Sequence, residues 1–216
     1  MICIVRKSAH LCEKVTLTPV ETVLLTLLAR SPQREPYVRE LAANAGVSAS
    51  GCSKALDRLA RMELVSSRRS GRNVHYRINE QNAAVTHFKM FVNVLEANAL
   101  VADVREQCSR IILFGSCSRG EDSSTSDIDV LAVTEHVEDV RRRLSGRSAG
   151  GRPLRAVVLA PGGLMRLKEN DPAFYEAVSS GIMLWRRAHE RVPAVSAGGA
   201  AGEDRAVPRT RSQGAQ

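Results

Sequence analysis

A Gly-Ser pair followed at a fixed distance by two carboxylates constrains the fold of this chain more than any other feature. The apolar run 111–114 predicts a strand buried on both faces, and it ends at Gly115 and Ser116. After ten intervening residues come Asp127 and Asp129, separated by one residue at the start of a second apolar run. Because side chains alternate along a strand, both carboxylates lie on one face. The segment therefore predicts two strands that bring the acid pair beside the Gly-Ser turn.

These residue types suit the binding of a phosphate chain together with a divalent cation. A glycine lets a phosphate approach the backbone, and the serine offers a hydroxyl and an amide as donors. Two adjacent carboxylates repel each other unless a cation lies between them, and such hard oxygen ligands suit Mg²⁺. Phosphoryl-type transfer needs little more than positioning and charge neutralisation by one or two metal ions.

The Gly-Ser, ten-residue gap and Asp-x-Asp pattern resembles the small or minimal members of the polymerase-beta-type nucleotidyltransferase superfamily, over about residues 93–187. The resemblance implies a Mg²⁺ site of one or two ions and ATP or another NTP as the substrate. It implies nucleotide binding by Gly115, Ser116 and Arg119, and catalysis and metal binding by Asp127 and Asp129. For the arginine, a solvated loop position is the alternative.

The chain departs from this family at one position. Active members usually have a third carboxylate on a neighbouring strand, where it acts as a general base or completes the metal site. The matching strand is predicted at 154–159, and Arg155 occupies that position. Arginine neither binds a metal ion nor accepts a proton at neutral pH. Three interpretations stay open: the substrate supplies the missing group, Glu121 or Glu135 approaches, or the domain binds nucleotide without transferring it.

The first third of the chain predicts a helix-turn-helix. Thr18 and the following Pro-Val-Glu start a helix whose apolar residues recur at helical spacing up to residue 28. A second helix is predicted at 37–44, and Gly46 suits the sharp turn after it. Ser48 can cap a third helix at 49–62.

A hairpin follows this third helix, with strands predicted at 64–69 and 74–78. Helix-turn-helix and hairpin together resemble winged-helix transcription regulators of the small bacterial and archaeal type over residues 18–79. The resemblance implies binding of double-stranded DNA, because a helix in the major groove reads base edges while flanking donors contact phosphates. The candidate DNA-binding residues are Ser48, Ser50, Ser53, Lys54, Arg58, Arg68, Arg69 and Arg72. A solvated amphipathic helix, or a winged helix that contacts protein, would give a similar pattern.

The distribution of charge favours a polyanionic partner for this first part. Of the net charge of +8, residues 1–80 account for +6, with 13 Lys and Arg against 7 Asp and Glu. Contacts between such cations and phosphates release condensed counterions, which drives binding to nucleic acid. Charge alone also fits a basic surface with no ligand.

The sequence thus predicts an α+β chain with two folded domains. A winged helix-turn-helix domain spans 1–80, a helical connector 81–106 and a small mixed α/β nucleotidyltransferase domain 107–188, followed by a disordered tail at 189–216. The connector suits either a homodimer seam or a simple spacer between the domains. No apolar run is long enough for a membrane span, and the N-terminus lacks the order of a secretory signal, so we expect a cytoplasmic protein. The five cysteines include no C-x-x-C pair and are expected to be inert thiols.

Three functions remain open at this point. The chain is a DNA-binding enzyme that transfers a nucleoside monophosphate to a protein or small acceptor, or a transcriptional regulator whose degenerate transferase domain only senses nucleotide. The third, drawn from the family resemblance, is an antitoxin-like role on a co-encoded helical toxin partner.

Overall fold

The computed structural model describes residues 16–187, and its first part consists of three helices and a two-stranded sheet. Residues 1–15 and 188–216, which include the predicted tail, lie outside the described residues. The elements of the first part are α1 (Pro19–Arg30), α2 (Val38–Ala45), α3 (Ala49–Arg61), β1 (Val65–Ser70) and β2 (Asn73–Ile78). This order and pairing confirm the predicted winged helix-turn-helix.

Helix α1 begins with a reciprocal pair of hydrogen bonds between its cap and its first turn. The amide of Glu21 donates to Oγ1 of Thr18 at 3.3 Å, and the amide of Thr18 donates to Oε2 of Glu21 at 2.7 Å. Both bonds satisfy amides that have no partner within the helix. The apolar face of the helix then supplies the centre of the first core with Leu24, Leu25 and Leu28.

The turn between α2 and α3 follows the sequence-based prediction. Gly46 ends α2 in the left-handed conformation, with φ of +65°. Ser48 then caps α3, because its Oγ accepts a hydrogen bond of 3.1 Å from the amide of Gly51. On its inner side α3 buries Cys52, Ala55, Leu56 and Leu59. On its outer side Ser50, Lys54, Asp57 and Arg61 are exposed.

The hairpin packs against these helices through one face only. β1 and β2 are antiparallel, and Ser70 pairs with Asn73 at the tip. Tyr76 and Ile78 are buried in the first core, whereas β1 is exposed after its first residue. The tip of the wing therefore extends into solvent beside the helix-turn-helix.

The predicted connector is a single helix, α4 (Ala83–Leu100), which belongs to both halves of the chain. Val85 near its start is part of the first hydrophobic core, and Ala97 near its end is part of the second. Phe91 and Leu95 on its outer face are 59% and 53% exposed. The helix is thus a shared structural element, and its exposed apolar face keeps the dimer prediction open.

The second part is a five-stranded mixed sheet with the order β5-β6-β4-β3-β7. Its elements are a 3₁₀ helix (Ala102–Gln107), β3 (Cys108–Phe114), α5 (Gly115–Arg119), β4 (Ile128–Thr134), α6 (Val137–Leu144), β5 (Ser148–Ala149), β6 (Arg152–Leu159), α7 (Gly163–Asn170), α8 (Pro172–Ser179) and β7 (Ile182–Arg186). β4 and β6 are parallel, and the other neighbouring strands are antiparallel. Together with the first part, this confirms the predicted α+β fold.

Each face of this sheet is covered by a different set of helices. Leu113 and Val130 point to the face that packs against α4 and α6. Phe114 and Leu131, one residue further along each strand, point to the face that packs against α7 and α8. Because alternate residues share a face, Asp129 lies on the same side as Leu131. The acid pair therefore lies on the α7 and α8 side of the sheet.

Helix α7 was not expected from the sequence. It follows a Pro-Gly-Gly segment, and its N-cap, Gly162, has φ of +81° and makes no side-chain cap. Only Leu164 and Leu167 pack against the neighbouring core, so the apolar pattern is short.

The structure of residues 16–187 bears on two predictions, the one about membrane spans and the one about the cysteines. No helix in this range is both long enough and apolar enough to cross a bilayer. Cys52, Cys108 and Cys117 are free and buried, and burial raises the pKa of the Cys108 thiol to about 11. Because the thiolate is the reactive form, these three thiols are held in the inert state.

Candidate functional site

A glycine turn at the end of β3 lies directly against one of the two predicted carboxylates. Gly115 has φ of +69°, a conformation that strongly favours glycine. A Cβ atom at this position would lie only 2.7 Å from Oδ2 of Asp129. Phe114 and Asp129 are direct partners across β3 and β4, which explains the close approach. Ser116 follows in the same turn and is partly exposed.

The two aspartates lie on one face, as the spacing predicts. Asp127 directly precedes β4 and Asp129 is its second residue, and both are partly exposed. The Cys117 thiol donates to the backbone oxygen of Asp127 at 3.2 Å, which ties the loop to α5. Burial raises the pKa of Asp129, the Arg155 guanidinium opposes that rise, and the charge of Asp127 adds to it. A divalent cation between the carboxylates would cancel their repulsion and would favour the ionised form of Asp129 despite its burial.

Arg155 occupies the position on β6 at which the resemblance leads us to expect a third carboxylate. It is the direct partner of Asp129 in the parallel register of β4 and β6, so its side chain leaves the sheet on the same face. Its Nη1 lies 3.1 Å from Oδ2 of Asp127, and the side chain is 72% exposed. The third position of the site therefore holds a guanidinium group that pairs with Asp127.

Neither glutamate considered as a substitute reaches this position. Glu135 follows the far end of β4, six residues beyond Asp129 and therefore about 20 Å away along the strand. Glu121 accepts a hydrogen bond of 2.7 Å from Nε of Arg119. Among residues 16–187 there is no group of three or more His, Cys, Asp or Glu side chains placed to hold a metal ion.

Arg119 lies beside α4 in this structure, and its predicted phosphate contact stays a prediction. Besides pairing with Glu121, it lines a hollow of about 320 Å³ together with Thr86 and Lys89 of α4. α4 covers the opposite face of the sheet from Asp129. The physical reason is that α5 ends at Gly120, which packs against the backbone oxygen of Thr86 and directs this loop toward α4.

A buried ionic cluster that the sequence did not reveal joins the two halves of the chain. Its centre is Asp122, whose side chain is fully buried. The carboxylate accepts hydrogen bonds from Nη1 of Arg152 at 2.9 Å and from Nδ2 of Asn93 at 2.7 Å. Nη1 of Arg30 also donates to it, and Nζ of Lys89 donates to its backbone oxygen. Helices α1 and α4 and strand β6 therefore meet at Asp122.

The position of this cluster connects the winged helix to the acid pair. Arg30 is the last residue of α1, and Asp122 lies in the loop that leads from the Gly-Ser turn to Asp127. The backbone oxygen of Arg30 also accepts a hydrogen bond of 2.7 Å from the amide of Ser124. Glu96 completes the cluster by accepting from Arg30 and Arg152. The loop before the acid pair is thus held by a helix of the first part.

The candidate DNA-binding residues lie mostly on the outer face of the winged helix. Those classed as exposed are Ser48, Ser50, Lys54, Arg68, Arg69 and Arg72, and Ser53 is partly exposed. Next to the wing, a hollow of about 540 Å³ runs between the start of α2 and the hairpin tip, and it is lined by Arg39 as well as Arg72. Arg39 is exposed on the outer side of α2 and was not among the predicted residues.

Two of the predicted DNA contacts are occupied by partners within the chain. Nη1 of Arg58 donates to both carboxylate oxygens of Glu21, at 2.9 and 2.7 Å, and the glutamate is almost fully buried. Arg58 therefore links α3 to α1 instead of extending outward. Nη2 of Arg68 donates to Oε2 of Glu35 at 2.8 Å, and this arginine lowers the pKa of the glutamate. Arg68 remains 66% exposed, so its pair leaves it accessible.

The second half of the chain matches a known domain family. Residues 99–157 match the nucleotidyltransferase domain family, a range that runs from the end of α4 to β6 and contains the Gly-Ser turn and the acid pair. No curated protein matches the chain in sequence.

Similar solved structures overlap with up to about half of the chain. A mutant of ZitR from Lactococcus lactis is 25% identical, with a TM-score of 0.33, and the match covers 43% of this chain and 60% of that one. The antimony-specific transcriptional repressor AntR is 28% identical, with a TM-score of 0.36, over 44% of this chain and 82% of that one. The homodimeric winged helix-turn-helix DNA-binding domain of a possible ArsR-family regulator from Mycobacterium bovis is 25% identical, with a TM-score of 0.35, over 47% and 88%.

The sheet register, the glycine turn and the acid pair lie within the matched range. The three helices and the hairpin that precede it form a separate core that shares only α4 with the sheet. Residues 99–157 thus match the nucleotidyltransferase domain family, and in this chain they follow a winged helix-turn-helix domain.

Proposed function

We propose that this chain binds double-stranded DNA and transfers a nucleoside monophosphate from an NTP, with ATP as the first candidate, to a protein or small acceptor. The observation that carries the proposal is the contact between the glycine turn and the acid pair. Because Gly115 has no side chain, it leaves room for the Asp129 carboxylate. A Cβ atom at this position would lie 2.7 Å from Oδ2 of Asp129. A turn that a phosphate can approach and a pair of carboxylates are thereby joined at one point.

The donor set fits Mg²⁺. Asp127 and Asp129 offer hard oxygen ligands on one face, and both are partly exposed. A bound Mg²⁺ would neutralise charge on the nucleotide phosphates during transfer. The residues of the chain have the remaining tasks: Gly115 and Ser116 bind the phosphates through backbone amides and a hydroxyl, and the rigid strand β4 orients the carboxylates. The site thus positions the nucleotide and needs no covalent intermediate with the protein.

We expect Asp127→Asn to abolish transfer while leaving the fold intact. Removing a metal ligand at this kind of site weakens transition-state stabilisation by several kcal/mol, which corresponds to at least about 100-fold in rate. The measurement is incorporation of label from α-labelled ATP with Mg²⁺, with purified products of neighbouring genes among the acceptors. Asp139→Asn is the matched control, because Asp139 pairs with Arg142 on the surface of α6. Equal incorporation by the Asp127 variant and the wild type would contradict the proposal.

DNA binding is proposed for the outer face of α3 and the wing. The support comes from the exposed cations Lys54, Arg69 and Arg72 and from the excess positive charge of residues 1–80. Phosphate contacts by such side chains make binding salt-dependent, so each contact is measurable.

We expect Lys54→Gln to change DNA binding and Arg58→Gln to change the stability of the fold. Losing one phosphate contact at Lys54 should weaken DNA binding and lower the slope of log K against log salt by about 1. Arg58→Gln should leave that slope unchanged and lower the free energy of unfolding by roughly 1–3 kcal/mol, because Glu21 loses its charged partner in a buried place. Binding isotherms at several salt concentrations and denaturant unfolding separate the two. A reduced salt slope for the Arg58 variant would show that its pair with Glu21 opens on DNA.

A second candidate function is a regulator whose transferase domain senses nucleotide without transferring it. Arg155 at the third position favours this alternative, and the cluster around Asp122 provides a physical connection between the two domains. In that case ATP with Mg²⁺ should change the affinity for DNA while no acceptor is labelled. An identical DNA-binding isotherm with and without ATP would eliminate it.

A further inference from the structure

The side chain at the third position of the site has the wrong charge for a base and the right charge for an anionic substrate. Arg155 leaves the sheet on the same face as Asp129, and its Nη1 lies 3.1 Å from Oδ2 of Asp127. The side chain is 72% exposed, so much of the guanidinium faces solvent beside the acid pair. A guanidinium carries five donors in a planar fork, and one contact with Asp127 leaves the fork available to a second anion.

The glutamates and histidines considered as substitutes supply no base at the third position. The glutamates at 121 and 135 are directed elsewhere, as described above. The described histidines lie on β2, on α4 and beyond the far end of β4, which excludes them from this edge of the sheet: they are His75, His87 and His136. The third position is therefore occupied by Arg155, which pairs with Asp127 at 3.1 Å. Because arginine accepts no proton at neutral pH, this position offers no base to an acceptor whose nucleophile must first lose a proton.

We propose that the acceptor is a phosphate monoester and that Arg155 binds it. This inference rests on the proposed transfer function and names its substrate class. A phosphate monoester carries about −1.5 to −2 charges at pH 7 and three equivalent oxygens. Two of these oxygens can engage the guanidinium fork while the third remains available to react. A carboxylate held in the same way has no oxygen left, and a neutral hydroxyl has no charge for the arginine to bind.

The reaction balances without a base. An ionised oxygen of the acceptor phosphate forms a bond to the α-phosphorus of the NTP. The bond from that phosphorus to the oxygen bridging to the β-phosphate breaks, and pyrophosphate leaves with the electron pair. No proton has to be removed from the nucleophile. The product is a phosphoanhydride that joins the nucleoside monophosphate to the acceptor.

Binding and transfer experiments with a matched pair of probes test this assignment. Glycerol 3-phosphate and glycerol differ only in the phosphate, and each is offered to the full chain with Mg²⁺ and α-labelled ATP. We expect the wild type to label glycerol 3-phosphate and not glycerol. In titration calorimetry with a non-hydrolysable ATP analogue present, Arg155→Gln should bind glycerol 3-phosphate at least about 10-fold more weakly than the wild type. It should still bind the ATP analogue.

Arg141→Gln is the control for loss of one positive charge, because Arg141 lies on α6, over the opposite face of the sheet. It should bind both probes like the wild type. Labelling of glycerol, or equal binding of glycerol 3-phosphate by the wild type and the Arg155 variant, would overturn the inference. A wild type that binds the ATP analogue but no glycerol 3-phosphate also overturns it, without affecting the proposed transfer. Failure to bind the ATP analogue at all would instead refute the proposed function itself.

Discussion

Asp122→Ala should lower the free energy of unfolding by about 3–5 kcal/mol. The carboxylate is fully buried and accepts hydrogen bonds from Arg30, Asn93 and Arg152. Its removal leaves the Arg152 guanidinium, which is 1% exposed, with only the partly exposed Glu96 as an anionic partner. A buried cation without sufficient compensation is strongly destabilising, whereas the intact pair adds little.

Denaturant unfolding followed by circular dichroism measures this loss. Asp139→Ala is the matched control, since the same chemical change at the exposed Arg142 pair should alter the free energy of unfolding by no more than about 0.5 kcal/mol. Similar losses for the two variants would mean that water enters the cluster around Asp122 and that the two domains are not joined by it.

Gly115→Ala should reduce transfer from ATP by about 100-fold, because a displacement of about 1 Å in a reacting group is enough for such a loss. The new Cβ would lie 2.7 Å from Oδ2 of Asp129, so either the carboxylate or the turn must move. The left-handed backbone at this residue adds a conformational cost of roughly 1–2 kcal/mol.

Gly146→Ala separates these two effects. Gly146 has φ of +73°, close to the +69° of Gly115, and a Cβ there would meet no atom within 4 Å. Both variants should therefore lose similar stability, and only Gly115→Ala should lose transfer and binding of the ATP analogue. Unchanged turnover by Gly115→Ala would show that the carboxylate position seen here is not the reactive one.

The sequence was informative where the signal is local. The cap at Thr18, the left-handed Gly46 and the serine before α3 are each set by residues within four positions, and the helices begin and end where these residues predict. The Gly-Ser and Asp-x-Asp spacing also predicted which strand positions carry the acids, because alternation along a strand depends only on count.

The remaining features depend on partners that are distant in sequence. Arg58 was placed on the outer face of α3 because nothing near it in the chain reveals Glu21, 37 residues earlier. Arg30 and Asp122 are 92 residues apart and meet only once both domains have folded. Helix α7 has few apolar residues and a glycine cap, so neither periodicity nor capping announced it.

The 18-residue helix α4 has a consequence for how the two domains share stability. At about 1.5 Å per residue the helix is about 27 Å long, and one end lies in each hydrophobic core. A substitution that destabilises one end of α4 should therefore also destabilise the core at its other end. We therefore expect the two domains to unfold in one cooperative transition. Cleavage of the chain within α4 would expose apolar surface in both fragments.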